Sequence, residues 1–454
     1  MWLTRSFKPF VFKNEYDEQL PFSSCDNLGL YVHIPFCKSI CNFCPYCKVK
    51  YNEDVCSRYI DALIDEIHLV GSQHIGKKEV TSLYFGGGTP ALAANRLGEI
   101  ISAINEHFII TEGIGLELHP ENVTPETLSI LKDAGVTKIS IGIQSFQNKY
   151  QNILGRNTVD ASRLKEALRK VPFETVSMDF IFALPSQTFD DLKSDIDTAF
   201  EIGANHIAIY PFIDFTFTSS NVKAMPKKEK KKLLDEITLY CAEKGYKRDS
   251  IWTFSNEPNA KYSSMTRDNF LGFGCSATTL LKEQFKINTF CVDEYCKRIS
   301  ERKLPTSLTI RFILRQRMVY YLFWTAYSTK VDSRDFKAFF GIPLKKMYGF
   351  ELKLAKRFGF LTEENGVYQM TLKGAFYYHY YENFYTLSYI DKMWGIMRKE
   401  AFPSKIELEL QVLKHQLDIL TNDRRQIVDV FLLSSVTFLY SSMCFLCSHK
   451  RRKR

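Results

Sequence analysis

The chain has 454 residues, 45% of them hydrophobic, enough for two or three domains around a real core. Its net charge of +9 owes much to the closing SHKRRKR and to the run Lys227–Lys232, which reads as a basic tail and a solvated helix face and excludes neither enzyme nor carrier, while arguing against a nucleic-acid surface. Twelve cysteines in so large a chain, opened by Met1-Trp2-Leu3-Thr4-Arg5 with no secretory pattern, argue against a disulfide scaffold and for a reducing compartment, the cytoplasm.

After an N-terminal leader (1–28), short apolar runs alternate with amphipathic stretches of helical length. The pattern predicts a strand at Leu30–Ile34, a helix over Tyr59–Val70, and a strand at Ser82–Phe85 that runs into Gly86-Gly87-Gly88. A helix over Leu97–Phe108 and a strand at Gly115–Leu118 follow. Thr124 caps a helix that starts at Pro125 and runs through Leu131. Strands at Ile139–Ile143, Val176–Phe182 and His206–Tyr210 then alternate with helices at Ala161–Leu168 and Asp190–Phe200. Such β-α alternation, repeated about six times, predicts an α/β fold with a parallel sheet or partial barrel over 29–225, its ligands at the strands' C-terminal ends.

Residues 226–304 read as an α+β extension completing that core. Over 305–400, helices precede a hairpin whose turn is Asn365-Gly366, which suggests a small winged-helix-like domain. The tail, 401–454, reads as helical. Its uncharged stretch Val430–Cys447 is taken as docked or disordered, with a membrane anchor as the alternative, and Cys444 and Cys447 as unrelated thiols.

The densest chemistry lies in HIPFCKSICNFCPYC, residues 33–47. Cys37, Cys41 and Cys44 are spaced C-x3-C-x2-C, and Cys47 follows two residues later. Thiolates are soft ligands for zinc or iron–sulfur clusters. Three thiolates in a loop after the first strand would leave one iron of a cubane cluster open to a ligand; a four-thiolate cluster including Cys47 and a zinc site are the rivals. Cys25, Cys56, Cys241, Cys275, Cys291 and Cys296 read as ordinary buried thiols.

Several stretches in register bear on that choice: Tyr31-Val32-His33-Ile34-Pro35-Phe36-Cys37, the aromatic Phe43 before Cys44, Phe85-Gly86-Gly87-Gly88-Thr89-Pro90, Glu117 in ELHPEN, Ser140–Phe146, Leu154-Gly155-Arg156, and MDFIFALPSQT from Met178 to Thr188. Over residues 30–215, and more weakly to Leu271–Gly274, the chain resembles the radical S-adenosylmethionine (radical SAM) superfamily, in its oxygen-independent coproporphyrinogen III oxidase-like branch. The resemblance implies a radical SAM core barrel over 29–225, a 4Fe–4S cluster on Cys37, Cys41 and Cys44, and S-adenosylmethionine (SAM) as cofactor. By the same resemblance Gly87, Gly88 and Thr89 take the methionine amino group, and Tyr31, Phe43, Glu117, Gln144, Arg156, Asp179 and Ile213 line the cofactor site. It also implies reductive cleavage of SAM, hydrogen abstraction from a tetrapyrrole or other large aromatic substrate, and an electron donor such as flavodoxin or ferredoxin.

The oxidase of that branch reads C-x2-C-x-C at the end of its cluster motif, whereas Cys44-Pro45-Tyr46-Cys47 carries one residue more. An oxidoreductase of porphyrin metabolism is therefore weighed against a haem chaperone of the same branch and a radical SAM methyltransferase. A carrier needs an accessible axial ligand, for which His33, His119, His206 and His379 are the candidates. His379 and Glu382, three residues apart, read as part of a packed aromatic helix.

Overall fold

The computed structural model describes residues 10–408 except Tyr16, Glu18 and residues 257–267, with residues 380–388 described by their backbone alone. Six parallel strands lie side by side in sequence order: β1 (Leu28–Ile34), β2 (Leu83–Gly87), β3 (Ile114–Leu118), β4 (Lys138–Gln144), β5 (Thr175–Phe182) and β6 (His206–Pro211). Helices α1 (Glu53–Gly71), α2 (Ala94–His107), α3 (Pro125–Asp133), α4 (Asn148–Ile153), α5 (Ala161–Lys170) and α6 (Phe189–Glu201) fill the crossovers. Runs such as LGLYVHI in β1 and TVSMDFIF in β5 are buried on both faces, as parallel strands covered by helices must be. This is the expected α/β radical SAM-type partial (β/α)6 barrel.

The expected helix starts hold at atomic detail. The Thr124 hydroxyl accepts from Thr127 N at 3.2 Å, with Pro125 in the first helical position. Thr188 and Asp191 form a reciprocal capping box at α6. One boundary moves. Helix α2 stops at His107, because Phe108–Ile110 leaves as a strand to pair with Lys78–Val80, burying Phe108.

Beyond β6 the sheet gains Thr253–Ser255 and Lys247–Arg248. Beyond β1 it gains the parallel strand Asn269–Phe273, then an antiparallel series. That series includes Phe10–Lys13, from the expected leader, between Thr306–Arg311 and Lys405–Leu408. In the C-terminal region the order is helix Leu314–Tyr327, strand Lys330–Asp332, helices Ser333–Phe340 and Leu344–Arg357, then strands Leu361–Glu364 and Val367–Met370. These three strands form one antiparallel sheet, an element order that a winged helix shares. The hairpin turns where expected, on Asn365 (φ +49°) and Gly366 (φ +80°), both in the left-handed region.

Two expectations are corrected. The Lys227–Lys232 run is not simply a solvated face: it opens α7 (Lys227–Glu243), and Lys230 is buried, because one turn of that helix faces the protein. Cys291 and Cys296 are half-buried rather than core thiols, whereas Cys25, Cys56, Cys241 and Cys275 are buried. Residues 409–454, with the Val430–Cys447 stretch and the Cys444/Cys447 pair, lie outside the described residues. Among the described residues no helix is long and apolar enough to cross a membrane.

Candidate active site

The cysteine loop runs between β1 and α1 and is fastened to the glycine loop after β2. Gly88 N donates to Ile34 O at 2.8 Å, and Thr89 N to Phe36 O at 2.7 Å. A Cβ on Gly88 would stand 2.6 Å from Phe36 O and 2.9 Å from Cys37 Sγ, so the glycine is needed for the protein's own loop to come this close. A Cβ on Gly87 (φ +122°) would meet Ile34 O and the His33 ring. The far side of the cysteine loop rests on the turn after α4, where Asn42 Oδ1 leaves no room for a Cβ on Gly155. Lys48 Nζ donates to Cys44 O, and Arg398 from the C-terminal region donates to Pro45 O and, at 2.8 Å, to Tyr46 O.

The four thiols divide three and one. Cys37, Cys41 and Cys44 are half-buried; the Cys37 thiol is pushed up to about 11, first by burial, with Thr89 opposing. Cys47 turns the other way, into the core. Its Sγ lies 3.4 Å from Phe290 O and 3.9 Å from Cys275 Sγ. Behind this turn sits His33, whose Nε2 is 3.0 Å from Cys47 O and whose Nδ1 is 3.0 Å from the Tyr31 hydroxyl. A carbonyl only accepts, so the neutral ring carries its proton on Nε2 and accepts from Tyr31 at Nδ1.

Glu117, near the C-terminal end of β3, and Asp179, in the middle of β5, are close enough to act on each other electrostatically. Glu117 accepts from Gly87 N at 3.1 Å and Tyr84 OH at 3.3 Å; Asp179 accepts from Ser140 Oγ at 2.9 Å. Each is pushed up to about 7, Glu117 by burial and Asp179 by burial and then by Glu117. Arg156 stands beside the cysteine loop. Its buried Nε and Nη2 have no hydrogen-bond partner among the described residues, and the charges that favour its cation are Cys41, Cys44, Glu121 and Cys37. Gln144, at the end of β4, adopts φ +72°, and its Nε2 lies against Gly142 beside Arg156. Phe43 packs with Tyr150, Ile181, Leu184 and Phe212, while Ile213 lines a cavity just beyond β6.

The donor set fits the two implied groups. Three soft, half-buried thiols from one loop lie close enough to raise one another's pKa, unmatched guanidinium N–H groups suit a carboxylate, and two carboxylates, acceptor-only once ionised, suit an ammonium or a ribose diol.

Sequence reasoning missed what holds the loop. Tyr59 OH donates to His33 O at 2.7 Å and accepts from Cys275 N at 2.8 Å. Glu66 accepts from Gly274 N, Asn288 Nδ2 and Tyr295 OH. The C-terminal phrase Tyr385–Trp394 also acquires a position. Asp391 accepts from Thr216 N and Oγ1 at 2.8 and 2.7 Å, and Trp394 packs 5.9 Å from Tyr46, so this segment ties the β6 loop to the cysteine loop. Its only advance signal is the phrase itself.

Of the candidate haem ligands, His33, His206 and His379 are buried and hydrogen-bonded. His206 Nδ1 meets Ser177 Oγ, and His379 Nδ1 accepts from Trp252 Nε1. His119 is partly exposed and pushed down to about 4 by burial and then by Arg156. The Glu382 side chain lies outside the described residues.

Residues 31–199 match the model of the radical SAM superfamily, so the chain carries a radical SAM domain there, and that domain implies a 4Fe–4S cluster and SAM. The chain's relatives include haem chaperones, oxygen-independent coproporphyrinogen III oxidases and an anaerobilin synthase of Escherichia coli O157:H7. The Bacillus subtilis heme chaperone HemW is 26% identical over 357 residues, 74% of this chain and 94% of that protein. The oxygen-independent coproporphyrinogen III oxidase of Pseudomonas aeruginosa is 27% identical over 304 residues, 59% and 65% of the two chains. The solved coproporphyrinogen III oxidase HemN from Escherichia coli superposes with a TM-score of 0.67 at 20% identity, covering 82% of this chain and 90% of that one, which is a likeness of fold.

Proposed function

We propose that this protein is an enzyme that cleaves SAM reductively and acts on a tetrapyrrole-type substrate, with an electron donor such as flavodoxin or ferredoxin, in the cytoplasm. The observation that carries it is that three half-buried thiols of one loop lie beside an arginine with unmatched N–H groups, while Tyr46 of the same loop feels both members of a buried carboxylate pair. When bound, the cluster and SAM supply one-electron cleavage of a sulfonium and hydrogen-atom abstraction.

The chain's own residues do the rest. Cys37, Cys41 and Cys44 hold the cluster, and Cys47 stays out. Arg156 takes the methionine carboxylate through its free N–H groups. Gly87, Gly88 and Thr89 present backbone to the methionine amino group, with Glu117 fixing the loop through Gly87 N. Asp179 and Gln144 address the ribose, Tyr31, Phe43 and Ile213 bound the pocket, and Trp394 and Tyr46 help exclude water.

The heme chaperone relative favours a second reading, a carrier without net conversion. Against it, three of the four candidate histidines are buried and engaged. Anaerobic reconstitution with iron and sulfide, then dithionite and SAM, separates the two. The catalyst releases 5'-deoxyadenosine faster with its tetrapyrrole present. Stoichiometric haem binding and transfer to an acceptor, with no acceleration by any tetrapyrrole, makes it a carrier.

Two further outcomes concern SAM. Arg156→Ala should weaken binding by roughly 1.5–3 kcal/mol, as loss of a buried charge-assisted contact does, with iron content unchanged. Unchanged affinity by calorimetry removes Arg156 from the site. The second outcome is a pH dependence. Because Glu117 and Asp179 sit near 7 rather than in the usual carboxylate range, the ligand-free fold holds protons that the unfolded chain has released. Stability of the ligand-free protein should therefore fall as pH rises from about 4 to about 7. SAM affinity should rise through the upper part of that window, as ionised carboxylates meet a cationic ligand. Glu117→Gln should flatten both trends, and a flat affinity profile in the parent protein would remove the carboxylates from the cofactor site.

A further inference from the structure

A cavity of about 200 Å³ opens just beyond the C-terminal end of β6, and its charge is unbalanced. Phe212, Ile213, Met225 and Phe376 give it apolar walls, while α7 turns Lys227, Lys230 and Lys231 towards it. The one carboxylate in the lining, Asp214, already has Lys223 at 3.6 Å. Lys231 is paired with Asp235 and lies 5.0 Å over the Phe376 ring, and Lys227 lies 6.0 Å over the same ring.

Lys230 is different. It is only 8% exposed, it makes neither a hydrogen bond nor an ion pair among the described residues, and the one charge that favours its cation is Asp214, which Lys223 already engages. A buried amine without a partner is costly, and lysine is almost never buried in that state. The walls indicate what would satisfy it. An ammonium is a point charge that accepts any anion, but the apolar lining matches a hydrocarbon stem that ends in a carboxylate better than a fully hydrated ion. Pockets for whole drug-sized ligands run to roughly 300–1,000 Å³, so this one takes an arm of a larger molecule.

The location agrees. Phe212 and Ala224 of the cavity wall belong to the same apolar cluster as Phe43 of the cysteine loop, so the cavity adjoins that loop. We propose that this cavity seats a carboxylate-bearing hydrocarbon arm of the substrate, with Lys230 as its counter-charge. His379, whose Nδ1 accepts from Trp252, keeps a donor at Nε2 in the same lining. The assignment rests on the tetrapyrrole reading for its choice of substrate, but not for its chemistry.

The test uses the cluster-loaded full chain with coproporphyrin III and its tetramethyl ester as probes. The acid should bind roughly tenfold or more tightly than the ester. Lys230→Met should abolish that preference by weakening the acid alone, and Lys230→Arg should restore part of it; iron content and melting temperature report whether each variant folds. Equal binding of acid and ester by the parent protein, or a preference that survives Lys230→Met, overturns the assignment. If neither porphyrin binds, the tetrapyrrole reading fails, and a smaller probe decides the pocket. Glutarate, but not glutaramide, should then protect Lys230 from acetylation by acetic anhydride, read by peptide mass spectrometry. Absence of protection overturns the pocket as well.

Discussion

Alanine at Cys37, Cys41 or Cys44 is expected to remove the iron–sulfur cluster, and alanine at Cys47 to leave it in place. The first three thiols share one half-buried loop beside Arg156, whereas the Cys47 thiol lies against Phe290 O and Cys275 Sγ on the core side. Iron and sulfide content after anaerobic reconstitution should fall to background in each of the first three variants. Cys47→Ala should keep both, and lose about 1 kcal/mol of stability with a small buried side chain. Retention of iron in Cys41→Ala, or its loss in Cys47→Ala, would show that the loop binds metal with a different set.

A large stability effect of a single methyl group is expected at Gly274. Its φ of +99° is strained for any other residue, and a Cβ would stand 2.5 Å from Tyr59 Oη and 2.6 Å from His33 O. The methyl group would push apart the two groups that tie Asn269–Phe273 and its following turn to β1. Backbone strain and overpacking each cost about 1–3 kcal/mol, so Gly274→Ala should lose roughly 3–5 kcal/mol and release the cluster more readily. Gly203 provides the control. It has φ +115° and open space for 4 Å around the position a Cβ would take, so Gly203→Ala should show the strain alone, about 1–3 kcal/mol. Equal losses in denaturant titrations would mean that the contact at Gly274 relaxes at no cost.

Local signals carried well into three dimensions. β1 and β5 are apolar runs that only a covered parallel strand explains, Thr124 and Thr188 cap the helices they precede, and Asn365-Gly366 makes its turn. The gathering of thiols in one loop and the close backbone approach at Gly87 and Gly88 follow from residue types that the sequence shows directly. What could not be read depends on distant partners. Cys47 follows the same short spacing as the other three, yet Phe290 and Cys275, far along the chain, decide where its thiol points. Lys230 sits in a charged run, and Phe212 and Ile213 after β6, with Phe376 and His379 from the C-terminal region, line the cavity that encloses it. Arg398 grips the Pro45–Tyr46 carbonyls from more than three hundred residues away.

The pairing of β1 with Asn269–Phe273 sets an order of events during synthesis. At the usual 5–20 residues per second, a ribosome takes roughly 10–50 s to pass from one strand to the other. For that interval the nascent chain carries its cysteine loop without Gly274, Cys275 or Phe290, the residues that later fix His33 and turn Cys47 inward. All four thiols then compete on equal terms for any iron that reaches them. The division into three loop thiols and one core thiol exists only once the second strand has emerged and docked.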